Sequence, residues 1–356
     1  MHAAELIEQL RKRDPEAQCS GLGGDKMVAA GCRLHQHIRN MAFMGFAAVL
    51  ANLGAVRRNF QIAEQALLDE QPDVLILIDY PSFNLRMAQF CRKHLPNTKI
   101  VYYIPPKVWA WKRRRIHAIA RLCDEVLGIF PFEPAFYAKY GYKCRYVGNP
   151  TAEELSRVPR LPRNPRILAI LPGSRPSEIQ NCLTKMLEAA RRYPEYKIVV
   201  CAAPGIEDTF YAPFLREGET LTRDTYGTVL QARAAVVNSG TATLETALLG
   251  CPQVAVYHLA LSWLIALIRC WAQPLLFSIP YFTLVNIIPG REVIKEYVAN
   301  EFTTENVAKE LGRLLHNENY RKEMLASYEH LSSLLGSQPA AVTAAEIITT
   351  IPTRSR

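Results

Sequence analysis

Apolar and polar positions along the chain follow two alternating periods. Residues 1–12 place apolar side chains at helical spacing, and Asp14 and Pro15 close that segment. The stretch 19–24 is glycine-rich and reads as a turn, followed by a helical turn at 25–30 that Gly31 caps. The run V-L-I-L-I at 74–78 has no polar alternation, opens after Pro72 and ends at Asp79, as a strand buried on both faces does. Residues 84–94 return to the helical period, and 99–104, 126–129 and 144–147 are further short apolar runs. Strands alternating with helices predict an open, parallel α/β sheet.

The pattern breaks at 156–166, where S-R-V-P-R-L-P-R-N-P-R excludes both a helix and a central strand and reads as a linker. A second α/β series follows: runs at 167–171, 197–202, 234–237 and 253–257, with helical periods at 176–192 and 241–249. Two such domains suit a cleft enzyme, because ligands of parallel sheets bind beyond the carboxyl ends of the strands. The expected organisation is an N-terminal Rossmann-like domain at 1–155, the linker, a C-terminal Rossmann-like domain at 167–325 and a helical segment at 326–356 placed to pack back on the first domain. Residues 259–268 are apolar apart from Ser262 and 271–281 extend the run past Arg269, too short a stretch to span a bilayer. A buried helix or dimer contact and a face resting in the membrane interface, with Trp263, Trp271, Tyr281 and Phe282 at headgroup depth, both fit.

Composition narrows the partners. The 356 residues are 49% apolar and 21% charged, which is globular, and the formal charge of +9 favours anionic partners. Nine cysteines without a C-x-x-C spacing suit thiols in a reducing compartment and argue against a zinc site. The opening residues read as an amphipathic helix rather than a signal peptide, which makes the cytoplasm the expected location.

Four places carry candidate chemistry. L-P-G-S-R at 171–175 joins a strand to a helix, where glycine admits a phosphate to the backbone, free amides favour an anion and Arg175 adds a fork of donors. N-S-G-T-A-T-L-E at 238–245 repeats that logic, and Glu245 one turn on can accept from a ribose diol. Taken singly each is as well explained by helix capping; together they indicate a nucleoside diphosphate. Asp79, at the end of its strand, is placed for general-base work on a hydroxyl, or for an Asx turn. The aromatics of 103–111 followed by K-R-R-R at 112–115 suit an acidic headgroup or a lipid phosphate as well as a nucleic acid.

G-G-D-K-M at 23–27, M-G-F at 44–46, I-D-Y-P-S-F-N at 78–84, V-W-A-W at 108–111, F-P-F-E at 130–133, V-G-N-P at 147–150, L-P-G-S-R, S-G-T-A-T-L-E at 239–245 and N-I-I-P-G-R-E at 286–292 occur in one order. In that order they resemble the lipid-A-disaccharide synthases, over about residues 1–335. The resemblance implies a GT-B glycosyltransferase, two Rossmann-like domains facing a central cleft. It implies transfer, with inversion, from UDP-2,3-diacylglucosamine to 2,3-diacylglucosamine 1-phosphate, giving the β-1,6 disaccharide 1-phosphate of lipid A and UDP. It implies Asp79 as the base, Gly173, Ser174 and Arg175 on the diphosphate, Ser239, Gly240, Thr241 and Glu245 on the nucleoside side, and Asn286 and Arg291 in the donor pocket. No metal and no other cofactor is expected, nor a nucleic acid; the expected partners are anionic lipids on the cytoplasmic face of the inner membrane and a second copy of the chain.

The chain departs from that family where members carry a first strand and a G-E-x-S-G-D loop ahead of the opening helix. The expectation is an interrupted first sheet and weak activity. Pro105, Lys107, Asn149 and Val285 also replace commoner residues. The rival readings are a GT-B enzyme with another acceptor, such as a peptidoglycan glucosaminyltransferase or a UDP-sugar epimerase; an inactive membrane-attached homologue; and, on charge alone, a nucleic-acid binder.

Overall fold

The computed structural model describes residues 1–40, 53–110, 112–159, 161–162, 164–258 and 281–352. They divide into two units, Met1–Glu153 with Ser337–Arg356, and Glu154–Gly336. Of the expectations above, M-G-F at 44–46, Trp111 and the apolar stretch up to residue 280 lie outside the described residues.

The first unit opens with α1 (His2–Arg13), which buries Ala4, Leu6, Ile7 and Leu10. Arg11, Lys12 and Arg13 fill its last turn, where cations meet the negative end of the helix dipole. Next come β1 (Ser20–Gly23), α2 (Asp25–Ala29) and β2 (Arg33–His37), with β1 and β2 pairing in parallel as a two-stranded sheet. The glycine-rich stretch is therefore a strand rather than a turn. Its partner R-L-H-Q-H is polar, so neither showed the apolar pattern of a buried strand. α3 (Leu53–Glu70) ends in Glu70, whose carboxylate accepts from Ser20, His35 and Arg33 and so ties both strands to the helix. Those partners outweigh its burial and hold the Glu70 carboxyl below the ordinary value.

The run at 74–78 forms β3 (Val74–Ile78), followed by α4 (Pro81–His94), β4 (Lys99–Tyr103), α5 (Arg115–Leu122), β5 (Glu125–Gly128), α6 (Glu133–Ala138) and β6 (Arg145–Tyr146). The helix expected at 84–94 begins one turn earlier because Pro81 suits a first helical position. β3, β4, β5 and β6 make a separate parallel sheet in sequence order. One of its faces buries Leu77, Ile100 and Tyr102 against Ala88, Cys91, Ile116 and Ile119.

The second unit is built on a six-stranded parallel sheet. After α7 (Pro150–Ser156) come β7 (Ile167–Leu171), α8 (Pro176–Ala190), β8 (Lys197–Cys201), α9 (Asp208–Tyr211), β9 (Thr220–Thr222), α10 (Thr225–Gln231), β10 (Ala234–Asn238), α11 (Thr241–Leu248) and β11 (Gln253–Tyr257). The unit continues with α12 (Leu284–Ile287), β12 (Glu296–Val298), α13 (Thr304–His316) and α14 (Glu318–Leu335). Strand order is β12-β11-β10-β7-β8-β9, so the chain winds outward in one direction from β7 and in the other from β10. The short polar strands β9 and β12 were not legible as apolar runs.

No boundary falls at 325, because α14 runs unbroken across it with Met324, Tyr328, Leu331 and Leu335 buried. Only α15 (Ala340–Thr349) returns to the first unit, where Ala344, Ala345 and Ile348 join Leu6, Leu10, Val101 and Tyr103 in one cluster. Among the described residues no helix is long and apolar enough to cross a membrane.

α13 packs along α8 and buries Leu311 completely. Leu311→Ala should cost about 2–5 kcal/mol, read as a lower urea midpoint for the second unit, because the removed atoms leave a cavity. An unchanged midpoint would contradict the packing described.

Candidate active site

The two phosphate-type turns meet at one place. β7 and β10 pair in parallel with Val237 opposite Leu171, so 171–175 and 238–245 leave the sheet side by side at its carboxyl edge. That is the point where the winding direction reverses, the usual ligand crevice of an open α/β sheet. Gly173 has φ +115, and a Cβ there would lie 2.6 Å from Asn238 Nδ2 and 2.7 Å from Glu178 Oε2. Only glycine lets the first turn come this close to the second.

The turns are not equivalent. In the first, the Ser174 and Arg175 amides donate to Glu178 Oε2 at 3.0 and 3.2 Å, and Arg175 Nη1 donates to Glu178 Oε1 at 3.1 Å. The amides that the sequence reading assigned to a diphosphate therefore already hold a carboxylate of the same helix. What the first turn still presents is the rest of the Arg175 guanidinium, on a side chain 64% exposed. An acidic residue in the first turn of a helix is the sequence signal of this cap, and it was missed.

In the second turn, the Ser239 amide is taken by Val256 O at 2.7 Å, which extends the β10–β11 ladder. Beyond it α11 starts at the exposed Thr241 with no side-chain cap, and Thr243 Oγ1 turns back to Gly240 O at 2.8 Å. The first-turn amides of α11 have no acceptor within the helix, so this is the uncapped one of the two helix starts. Glu245 lies half-buried one turn on, its carboxyl pushed up by burial and then by Glu154. Burial, and then the same two carboxylates, push Tyr226 up to about 12. Glu154, on α7, carried no motif and was not anticipated.

Asn286 and Arg291 stand apart from these turns. Asn286 is fully buried; its Nδ2 donates to Ile294 O and Glu296 Oε1, both at 2.9 Å, and its Oδ1 accepts from the Val293 and Ile294 amides. All four hydrogen-bonding positions are occupied, so Asn286 shapes the 286–296 segment and offers no free amide to a ligand. Its helix α12 packs against α11. Arg291 is exposed and donates to Ser327 Oγ at 3.0 Å.

In the first unit, Asp79 ends β3 in a strained turn. Asp79, Tyr80 and Ile104 have φ of +48, +41 and +57, three non-glycine residues in the left-handed region at the ends of adjacent strands. Each such residue costs about 1–3 kcal/mol and persists only where surrounding bonds impose it. Here the Asp79 amide donates to Ile104 O at 3.2 Å, while Asp79 O accepts from Asn84 Nδ2 at 2.6 Å and Tyr102 Oη at 2.9 Å. The clamp presents the Asp79 side chain at the surface. Lys107 is within electrostatic reach of both Asp79 and Glu133.

Two of the sequence motifs are one structural piece. Glu133 of F-P-F-E is buried and accepts from Trp109 Nε1 of V-W-A-W at 3.2 Å and from the Ile129 and Phe130 amides at 2.8 and 3.0 Å. Burial outweighs these donors and pushes its carboxyl up to about 7. Trp109 then meets Phe130 and Phe132 edge-on.

The architecture is that of the GT-B glycosyltransferases. The chain is similar to the crystal structure of CalG4, the calicheamicin glycosyltransferase (TM-score 0.60, 13% identity, 98% of this chain and 95% of that one). It is likewise similar to the kitacinnamycin glycotransferase (TM-score 0.62, 11% identity, 98% and 94%). Within that class the chain belongs to the lipid-A-disaccharide synthetase family, whose profile it matches over residues 1–349. It is 35% identical to the lipid-A-disaccharide synthase of Myxococcus xanthus, over 98% of this chain and 93% of that one. The enzyme of the same name from Geobacter sulfurreducens is 32% identical over 95% and 90%.

If the α11 amides bind phosphate, Thr241→Pro should weaken UDP binding about tenfold in titration calorimetry, by removing one charge-assisted donor. The melting temperature should stay within about 1 °C, since proline is tolerated at a first helical position. Unchanged affinity would place the phosphate elsewhere.

Proposed function

We propose that this protein joins UDP-2,3-diacylglucosamine to 2,3-diacylglucosamine 1-phosphate, forming the β-1,6 disaccharide 1-phosphate of lipid A and releasing UDP with inversion at the anomeric carbon. Family membership together with the paired turns at the β7–β10 switch point carries this reading.

In the first unit Asp79 takes the proton of the acceptor 6-hydroxyl as its oxygen attacks the anomeric carbon. The bond from that carbon to the UDP oxygen breaks, and UDP leaves with the electron pair. Charge growing on the diphosphate is met by the amides of α11 and by the Arg175 guanidinium, which need no reorganisation to do so. Glu245 accepts from the ribose hydroxyls. Gly173 admits the close approach, Ser174 and Glu178 fix the direction of Arg175, and Asn286 holds the segment beside α11. Ser239, Gly240 and Thr241 shape the mouth of the pocket, and Arg291 is its outlying cation. The acylated substrates and the net charge of +9 support work on the anionic cytoplasmic face of the inner membrane, with Lys112–Arg115 toward the headgroups. The resemblance to the family supports a homodimer.

Asp79 and the nucleotide turns belong to different units, which makes their roles separable. Asp79→Ala should lower disaccharide formation at least about 10²–10⁴-fold, the usual range for a general base, with UDP affinity unchanged. Retained turnover, or loss of UDP binding, would contradict the assignment.

A further inference from the structure

Asn238 is the polar residue of β10, whose other four residues are Ala234, Ala235, Val236 and Val237. All five are buried, and Asn238 keeps only 3% of its surface. A carboxamide in such a place brings donors and acceptor positions that bulk water no longer serves, so its partners must account for it. Asn238 Oδ1 accepts from the Cys182 thiol of α8 at 3.7 Å. Burial pushes that thiol up to about 11, so it stays protonated and remains the donor. Asn238 does not cap the helix that follows, because α11 starts without a side-chain cap. With Oδ1 on the thiol, Nδ2 turns toward the first turn and lies 2.6 Å from where a Cβ on Gly173 would stand. Glu178 Oε2 crowds the same point but is taken by the Ser174 and Arg175 amides. Among the described residues Asn238 Nδ2 has no acceptor. Gly173 is half-exposed, so the crevice between the turns reaches this donor.

An unpartnered donor held in one orientation in a buried strand costs stability that an apolar residue there would not. A ligand oxygen in the crevice removes that cost. Two neighbours of the crevice select an anionic oxygen: the uncapped start of α11, and the Arg175 guanidinium on a side chain 64% exposed. We propose that Asn238 is a further binding residue of the nucleotide site, with Nδ2 donating to a diphosphate oxygen from between the two turns. The assignment rests on the nucleotide reading given above and adds to it a donor that belongs to neither helix start. Because the Cys182 thiol fixes Oδ1, Nδ2 need not reorient as negative charge grows on the departing diphosphate. As a neutral donor beside the Glu178 carboxylate, it also offsets the repulsion that an anion would meet there.

Two variants of the full chain test it. Asn238→Ala removes the donor, and Asn238→Asp keeps the volume and the Cys182 contact but replaces the donor with an acceptor. Calorimetric titration with UDP and with uridine is combined with the melting temperature of the ligand-free protein. Asn238→Ala should weaken UDP about 10- to 100-fold, the usual range for one hydrogen bond to a charged group, and Asn238→Asp at least as much. Uridine affinity should stay within about twofold in both, since the lost bond is to phosphate. The ligand-free melting temperature of Asn238→Ala should fall by no more than about 2 °C, because the lost Nδ2 has no partner in the protein. Should that variant fail to fold, Asn238→Asp carries the same comparison of UDP with uridine. UDP affinity unchanged by the substitutions, with or without a lower melting temperature, would overturn the assignment and leave Asn238 a role in the fold alone. Equal losses for UDP and uridine would overturn it in favour of a nucleoside contact. No UDP binding by the unaltered protein would overturn the nucleotide reading itself and this assignment with it, an outcome distinct from UDP binding that survives the substitutions.

Discussion

The second unit of this protein depends on the parallel pairing of β7 with β10. Placing Val237 against Leu171 brings together two turns separated by more than sixty residues of sequence, at the one point of the sheet where the winding reverses. Gly173 can face Asn238 only because that pairing is in register, and Glu178 can cap the first turn only because glycine leaves it room. With the first turn closed by its own carboxylate, the uncapped helix start of the pair is that of α11.

Most of this fold was legible where burial is two-sided. β3, β4, β7, β8, β10 and β11 are continuous apolar runs, which is how strands read when helices cover both faces. β1, β2, β9 and β12 escaped because they are short, polar or rich in glycine, and only their pairing makes them strands. The helix over 318–335 shows the same limit: an expected boundary within it fails because its buried residues continue on one face past 325.

The candidate site was legible as motifs but not as roles. Motif order led to the family, and seven of the named donor-side residues do lie on the two adjacent turns. What composition and spacing could not supply was which hydrogen-bonding groups are already occupied. Ser174, Arg175, Ser239 and Asn286 all looked like donors, yet their partners are Glu178, Val256 and the 293–296 backbone and side chains. The same holds for Glu133, a buried carboxylate that joins two motifs by accepting from Trp109. Around Asp79 the structure adds a feature that sequence could not contain, the cluster of left-handed residues at the ends of β3 and β4.

In the reaction proposed, the two turns, alike in sequence, divide their labour, and phosphate belongs to the second. A crystal structure of the UDP complex tests it most directly. The diphosphate should lie within hydrogen-bonding distance of the amides of 241–243, with Glu178 still held by the Ser174 and Arg175 amides. A diphosphate seated on the Ser174 and Arg175 amides, with Glu178 displaced, would contradict that division.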